Sequence, residues 1–271
     1  MPTEVLGTPI ATLAPHDGAA FLISDLHVPA DGGRALHNLD LALAAAVAER
    51  SRLFVLGDLF DSYVTKRQIE VGSWRLVAER LRAVVAAGVA VDVLRGNRDF
   101  LLGPEFEAAS GARLHDGGVR VRLGGVDTLL LHGDELCQND LPYQRAKRWL
   151  RSAPTRAIAR RLPLALALKA AARARRRSAA VIASGDQTRF LPTRAAVEAA
   201  FAIGVERLVF GHIHRQATGP FGAGRYWVLP AFDAERAVGL RVVDGDFGPV
   251  QFQTGAATAA VAAGEPCPFP A

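Results

Sequence analysis

The chain has 271 residues, with 32 Lys+Arg against 27 Asp+Glu and a net charge of +5. Half of the residues are hydrophobic, which excludes global disorder, and no stretch approaches the roughly 18 uninterrupted apolar residues of a membrane span. The N-terminal residues show no basic region followed by an apolar one, so no signal peptide is expected. Cys137 and Cys267 are the only cysteines; two form neither a disulfide framework nor a zinc-finger spacing, which suits a reducing cytosol. The charge is unevenly placed. Between Arg145 and Arg177 lie 12 basic residues and no acidic one, leaving 20 basic and 27 acidic residues for the rest of the chain.

Residues 1–19 and 253–271 are rich in Ala, Gly, Thr and Pro and read as loose termini. Between them, short apolar runs alternate with helical patterns. A buried strand is expected at 21–23, a helix at 35–50, a strand at 53–56, a helix at 67–86 closed by Gly88, and a strand at 89–94. Gly124-Gly125, between apolar runs at 119–123 and 128–131, signals a hairpin. A helix follows at 193–203, then strands at 208–210, 226–229 and 238–243. Strand runs that are apolar throughout predict a sheet covered on both faces, and hence an α/β layered domain. Residues 141–182 carry helical patterns only. The expected organisation is a core of 20–140 and 183–252 with an inserted helical cap at 141–182.

Each expected strand runs into a polar cluster. These are Ser24-Asp25-Leu26-His27, Gly57-Asp58-Leu59-Phe60-Asp61, Gly96-Asn97-Arg98-Asp99, His132-Gly133-Asp134 and Gly211-His212-Ile213-His214. Ligand sites of open α/β sheets lie beyond the carboxyl ends of strands. Convergence there would gather Asp25, His27, Asp58, Asn97, His132, His212 and His214 around one point. Carboxylates, imidazoles and one amide oxygen have the chemistry of a two-metal centre, and suit Mn²⁺, Fe²⁺ or Zn²⁺ better than Ca²⁺. The D-x-H and H-x-H pairs are expected on extended backbone, where i and i+2 point the same way. His16, His37 and His115 have no such company.

These motifs, in this order, resemble the calcineurin-like metallophosphoesterases over residues 25–214. A narrower resemblance is carried by "SDLH", "GDLFD", "GNRDFLLG" and "LHGDELCQNDLPYQRAKRWLRS", which are similar to the UDP-2,3-diacylglucosamine hydrolases of lipid A synthesis. The resemblance implies a four-layer β-sandwich flanked by helices, with a helical cap that holds acyl chains. It implies two divalent ions, Mn²⁺ being expected. Asp25, His27, Asp58 and His214 would hold one and Asp58, Asn97, His132 and His212 the other, with Asp58 bridging. The implied reaction is in-line attack of hydroxide on the pyrophosphate of UDP-2,3-diacylglucosamine, releasing UMP and 2,3-diacylglucosamine 1-phosphate. Asn97, Arg98 and His132 are the implied catalytic residues. Asn97, Arg98, Asp140, Tyr143, Ser178 and His212 are the implied substrate contacts. The chain departs from that family's pattern at 61–67, where a tryptophan and an acidic pair are usual, and at 179–185, which carries no charge.

Many metallophosphoesterases place a histidine after the asparagine of the third block, to protonate an alkoxide leaving group. Here Arg98 stands there, and a guanidinium does not donate a proton at neutral pH. A phosphate leaving group needs none, so Arg98 points to pyrophosphate cleavage. The cationic segment interleaves Arg and Lys with Trp149, Leu150, Ile158, Leu162, Leu164, Leu166 and Leu168, and Pro154 and Pro163 divide it into short helices. Such a pattern suits an anionic membrane surface, and a peripheral place on the cytoplasmic face of the inner membrane is expected. The alternatives are another nucleotide diphosphate or phosphodiester as substrate, or a nuclease that uses the basic cap. Nucleic acid is not expected as a partner, because 162–168 is too apolar and holds no aromatic residue to stack on bases. A scaffold that has lost its chemistry is disfavoured because all seven ligand positions are filled.

Overall fold

The computed structural model describes residues 3–150, 152–184, 187–233, 235–254, 256–260 and 269. The chain opens with β1 (Thr3–Val5) and β2 (Thr8–Thr12), then β3 (Ala20–Ile23), α1 (Gly33–Glu49), β4 (Arg52–Val55), α2 (Gly72–Ala86) and β5 (Val91–Leu94). Next come α3 (Pro104–Ser110), β6 (Arg113–His115), β7 (Gly118–Leu123) and β8 (Val126–Leu130). Three helices follow without a strand: α4 (Leu141–Leu150), α5 (Ala153–Ala159) and α6 (Leu164–Ser184). The chain then forms α7 (Arg194–Phe201), β9 (Arg207–Phe210), β10 (Ala217–Phe221), β11 (Gly224–Val228), β12 (Val238–Val243), β13 (Asp246–Gln253) and β14 (Ala256–Ala259).

The strands form two seven-stranded sheets, β1-β2-β7-β8-β9-β11-β10 and β14-β13-β12-β3-β4-β5-β6. Leu22, Phe54, Leu56 and Leu94 of the second pack on Val119, Val121, Leu130 and Val209 of the first. Both outer faces are also covered. Leu36, Leu39 and Leu43 of α1, and Trp74, Val77 and Leu81 of α2, close over β3, β4 and β5. Ala196, Val197 and Ala200 of α7 close over Leu129, Leu208 and Phe210. The four layers are helix, sheet, sheet, helix. Burial on both faces is why these strands read as unbroken apolar runs.

The expected loose termini are a correction. Val5 and Ile10 alternate with exposed residues and are buried. That pattern lets β2 pair in parallel with β7, Ile10 opposite Gly118. At the other end β13 and β14 extend the second sheet, and Phe252 packs edge-on against Phe21 with ring centroids 5.1 Å apart. Phe269 lies against Tyr226 at 4.8 Å. The remainder of 261–271 is outside the described residues, Cys267 among it. The single helix expected at 67–86 is split. Val71 is extended, Gly72 has φ 54°, and a 3₁₀ turn at Lys66–Glu70 precedes α2. Buried Gln68 draws this turn inward, accepting from Val64 N at 2.6 Å and donating to Ser62 O at 2.9 Å.

One polar cross-link runs through the second sheet. Asp92 on β5 is buried and accepts from Arg52 on β4 at 2.8 Å and from His115 on β6 at 2.8 Å. Burial raises the Asp92 carboxyl, but His115 and Arg52 outweigh it and hold it below the usual range. A depressed carboxyl stabilises the fold above its unfolded pKa of about 4, and that contribution is lost as pH falls through the folded value. Asp92→Asn is expected to cost about 3–5 kcal/mol in urea denaturation at pH 7, with the gap from wild type narrowing as pH falls below the unfolded pKa. A gap that does not depend on pH would assign the effect to packing.

Candidate metal centre

The ends of β3, β4 and β5 in one sheet, and of β8 and β9 in the other, meet at one edge of the sandwich. Backbone bonds stitch the loops together. Asp25 N donates to Gly57 O at 3.2 Å, His27 N to Asp58 O at 2.9 Å and Gly211 N to His132 O at 2.8 Å. The D-x-H and H-x-H pairs are not on extended backbone as expected. Asp25 (φ 56°), His27 (49°), Asp58 (51°), His212 (68°) and His214 (53°) are all left-handed, five of the eight described non-glycine residues with positive φ. Asp and His tolerate that region better than most side chains. Such strain concentrates at functional sites, where the surrounding structure holds it in place.

Asp25 is fully buried. Its Oδ2 accepts from Ser24 Oγ at 2.7 Å and from His212 N at 2.8 Å. Its Oδ1 faces His214 Nε2 at 3.3 Å and His27 Nε2 at 3.9 Å. The two histidine Nε2 atoms are 3.0 Å apart. Asp58, also buried, takes the Arg98 amide on Oδ1 at 2.8 Å, and its Oδ2 lies 3.8 Å from His27 Nδ1. Leu56 O accepts from His132 Nδ1 at 2.8 Å. That bond fixes Nδ1 as a protonated nitrogen and leaves Nε2, 3.0 Å from Asn97 Oδ1 and 3.7 Å from Asp58 Oδ1, as the ring atom that meets either a proton or a cation. The His212 ring packs on that of His132, centroids 5.1 Å apart.

All seven predicted ligand residues are therefore neighbours. One donor atom each from Asp25, His27 and His214 falls within 4.8 Å of the others, as does one each from Asp25, Asp58 and His132. The carboxylate common to both groups is Asp25, while Asp58 is the one expected to be shared; His27 Nδ1 links Asp58 to the first group.

The electrostatics show what the cluster accepts. Burial, and then the nearby Asp99 and Asp25 carboxylates, push Asp58 up to about 7 against the pull of His132. Burial would lower His132, but Asp58 and Asp25 drive it up to about 9. Burial raises Asp25 too, and His214, His132 and His27 more than reverse it, leaving it well below the carboxylate range. Burial takes His27 down to about 3 and His212 down to about 4. His214 is raised, chiefly by Asp25. Acceptors crowd together here and seize a proton where they can. Asp25 Oδ1 and His27 Nδ1 are buried without hydrogen-bond geometry to any group. Divalent cations fit such a donor set.

Sequence reasoning missed two acidic residues of this edge. Asp99 is buried and accepts from Gly96 N at 2.8 Å and Leu59 N at 2.7 Å, tying the second and third loops together. Asp61 accepts from Arg98 Nη1 at 3.0 Å and from Arg175 of α6. Asp99 was visible in the motif as a fourth acid whose role is to hold backbone.

Asp140 and Tyr143 are engaged to one side of the ligand cluster. The Tyr143 hydroxyl donates to buried Asp134, which Lys147 also approaches at 2.8 Å. Asp140 pairs with Arg189 at 3.5 Å and receives Tyr143 N at 3.4 Å. Ser178 belongs to α6, but its side chain, like those of 179–185, lies outside what the structure describes. A cavity of about 720 Å³ opens under α4 and α5, lined by Thr8, Gln138, Leu141, Gln144, Arg145 and Arg156, none of them a ligand candidate.

Residues 20–216 match the calcineurin-like phosphoesterase family. The chain is 35% identical to a UDP-2,3-diacylglucosamine hydrolase of Nitrosococcus oceani over 75% of its length and 81% of the relative's. It is 35% identical to that of Chromobacterium violaceum, over 84% of this chain and 96% of the relative. To that of Ralstonia nicotianae it is 32% identical, over 86% and 90%. The chain belongs to the calcineurin-like phosphoesterase family.

Proposed function

We propose that this chain hydrolyses the pyrophosphate of UDP-2,3-diacylglucosamine, giving UMP and 2,3-diacylglucosamine 1-phosphate. The observation that carries the reading is the pairing of a buried carboxylate–imidazole cluster with Arg98, whose amide is fixed on Asp58 and whose guanidinium stands beside it. The relatives that bear this substrate's name support the choice among phosphoesters.

Asp25, His27, Asp58 and His214, with Asn97, His132 and His212, would hold two divalent ions, Mn²⁺ being the proposed metal. Such ions lower the pKa of bound water and neutralise charge growing on phosphoryl oxygens. Arg98 supplies a planar fork for a phosphate oxygen. It offers no proton, which a phosphate leaving group does not require. Asn97 and His212 would contact the substrate from the same edge. Asp140, Tyr143 and Ser178 are proposed to contact the sugar from the flank and the cap, with Tyr143 steadied by Asp134.

The cap is proposed to receive the acyl chains and rest on the cytoplasmic leaflet of the inner membrane. Leu141, Trp149, Ile158 and Leu166 are more than half exposed among its cations, an arrangement suited to an anionic interface. Among the described residues no helix is long and apolar enough to cross a membrane. One experiment covers both statements: turnover of UDP-2,3-diacylglucosamine with Mn²⁺, presented in phosphatidylglycerol vesicles that are then sedimented. Release of UMP by vesicle-bound protein is expected. Faster hydrolysis of DNA or of bis-p-nitrophenyl phosphate would replace this substrate, and protein left in the supernatant at low salt would remove the membrane.

A further inference from the structure

The loop after β4, residues 61–67, is the seat of the cap. Thr65 is buried and donates through Oγ1 to Arg160 O at 3.1 Å and Leu162 O at 2.9 Å. Arg160 pairs with Glu105, which also receives the Tyr63 hydroxyl at 3.2 Å. The other attachment is Asp61. Its Oδ1 accepts from Arg98 of the core at 3.0 Å and its Oδ2 from Arg175 of α6. The same Arg175 nitrogen lies 3.4 Å from Asp61 O and 3.5 Å from Ser62 Oγ. Among the arginines nearest it on α6, Arg173, Arg176 and Arg177 are exposed, whereas Arg175 is half-buried.

A carboxylate held between two guanidinium forks is a small anion in a seat built for anions. Each fork has five N–H donors, and Asp61 engages one nitrogen of each. A phosphate group offers more oxygens in matching geometry. The three side chains are each about one-third exposed, at 33%, 36% and 37%, so water screens the pairs and they are individually weak. They can be exchanged.

We propose that Asp61 is an autoinhibitory latch: it occupies the anion seat between Arg98 and Arg175 and holds α6 on the core until a phosphate group of the substrate displaces it. The inference rests on reading Arg98 as a phosphate contact. An internal competitor lowers apparent affinity by the fraction of molecules whose seat is free. Removing it tightens anion binding, and removing a residue that merely positioned the arginines does the opposite.

The test compares wild type with Asp61→Asn, full-length and with Mn²⁺ in excess. Calorimetry measures the affinity for methylenediphosphonate, a diphosphate that is not hydrolysed, and trypsin measures cleavage of the cap without ligand. The variant is expected to bind about three- to tenfold more tightly, with faster cutting in the cap and KM lowered while kcat does not rise. Asp61→Ser, too short to span both guanidinium groups, repeats the measurement in case the asparagine carbonyl still bridges them. Unchanged or weaker binding in both variants overturns the latch. Tighter binding without turnover of UDP-2,3-diacylglucosamine leaves the latch standing and removes the proposed substrate; turnover with unaltered binding does the reverse.

Discussion

Asp58→Asn is expected to lower kcat by at least about 10³-fold, roughly 4 kcal/mol of transition-state stabilisation, while making the metal-stripped protein more stable. Both effects have one cause. Asp58 is 1% exposed and stands beside the buried carboxylates of Asp25 and Asp99. Its neighbours His27 and His132 place their ring nitrogens 3.8 and 3.7 Å from it. Without a cation, burial and the two carboxylates push its pKa up to about 7. A carboxyl whose folded pKa lies above the unfolded value of about 4 costs stability progressively as pH rises through that window, and the whole cost is present above about 7. Asparagine removes the charge and keeps an oxygen for the Arg98 amide, which Asp58 Oδ1 receives at 2.8 Å. Melting in chelator at pH 8 is therefore expected at a higher temperature for the variant, with the difference shrinking toward pH 4. Metal content after dialysis against Mn²⁺ should fall in the same protein. A variant that keeps both its metal and its turnover would remove Asp58 from the centre.

The second large effect is expected at a residue with no side chain. Gly211 lies directly before His212, and a Cβ there would overlap Ser24 Oγ and the Asp25 Oδ2 oxygen. Neither neighbour can retreat, because both are buried and bonded to each other. Gly211→Ala must break the bond from His212 N to Asp25 Oδ2 or turn the carboxylate away from His214. Loss of an outer partner of a metal ligand costs about 10–100-fold in affinity, and displacement of the ligand itself sits at the upper end. The expected result is at least about 10²-fold weaker Mn²⁺ retention by mass spectrometry, with kcat/KM falling in parallel. Gly248→Ala, where a Cβ meets nothing within 4 Å, is the control. Equal metal retention by the two variants would show that the ligand loops tolerate the displacement.

Much of this was legible in the sequence because buried strands and their polar ends contrast sharply. Residues 21–23, 53–56 and 208–210 are apolar throughout, and each is followed at once by ligand types. The backbone that aims those ligands was not legible. Spacing of i, i+2 predicts extended chain, and the structure uses left-handed residues at both members of each pair. The edge strands were missed for physical reasons. β2 offers only Ile10 as a large apolar residue and β10 contains Gly219 and Pro220, so pattern and propensity both argue against strand until a neighbouring strand supplies the pairing. Asp61 and Arg175 are 114 residues apart, and no local signal joins them.

The seat at 61–66 also bears on how this chain can be recombined with its relatives. Thr65 holds two backbone carbonyls of the cap and Asp61 one of its arginines, so loop and cap form a single transplantable module although 75 or more residues separate them in sequence. A chimaera that imports a foreign 141–182 onto this loop satisfies the Thr65 hydroxyl only if the new backbone brings its carbonyls to the places of Arg160 O and Leu162 O, and a cap without an arginine at 175 leaves Asp61 facing Arg98 alone. Moving 61–67 together with the cap carries both contacts across, and the unit that must be inherited together is defined by contact in space.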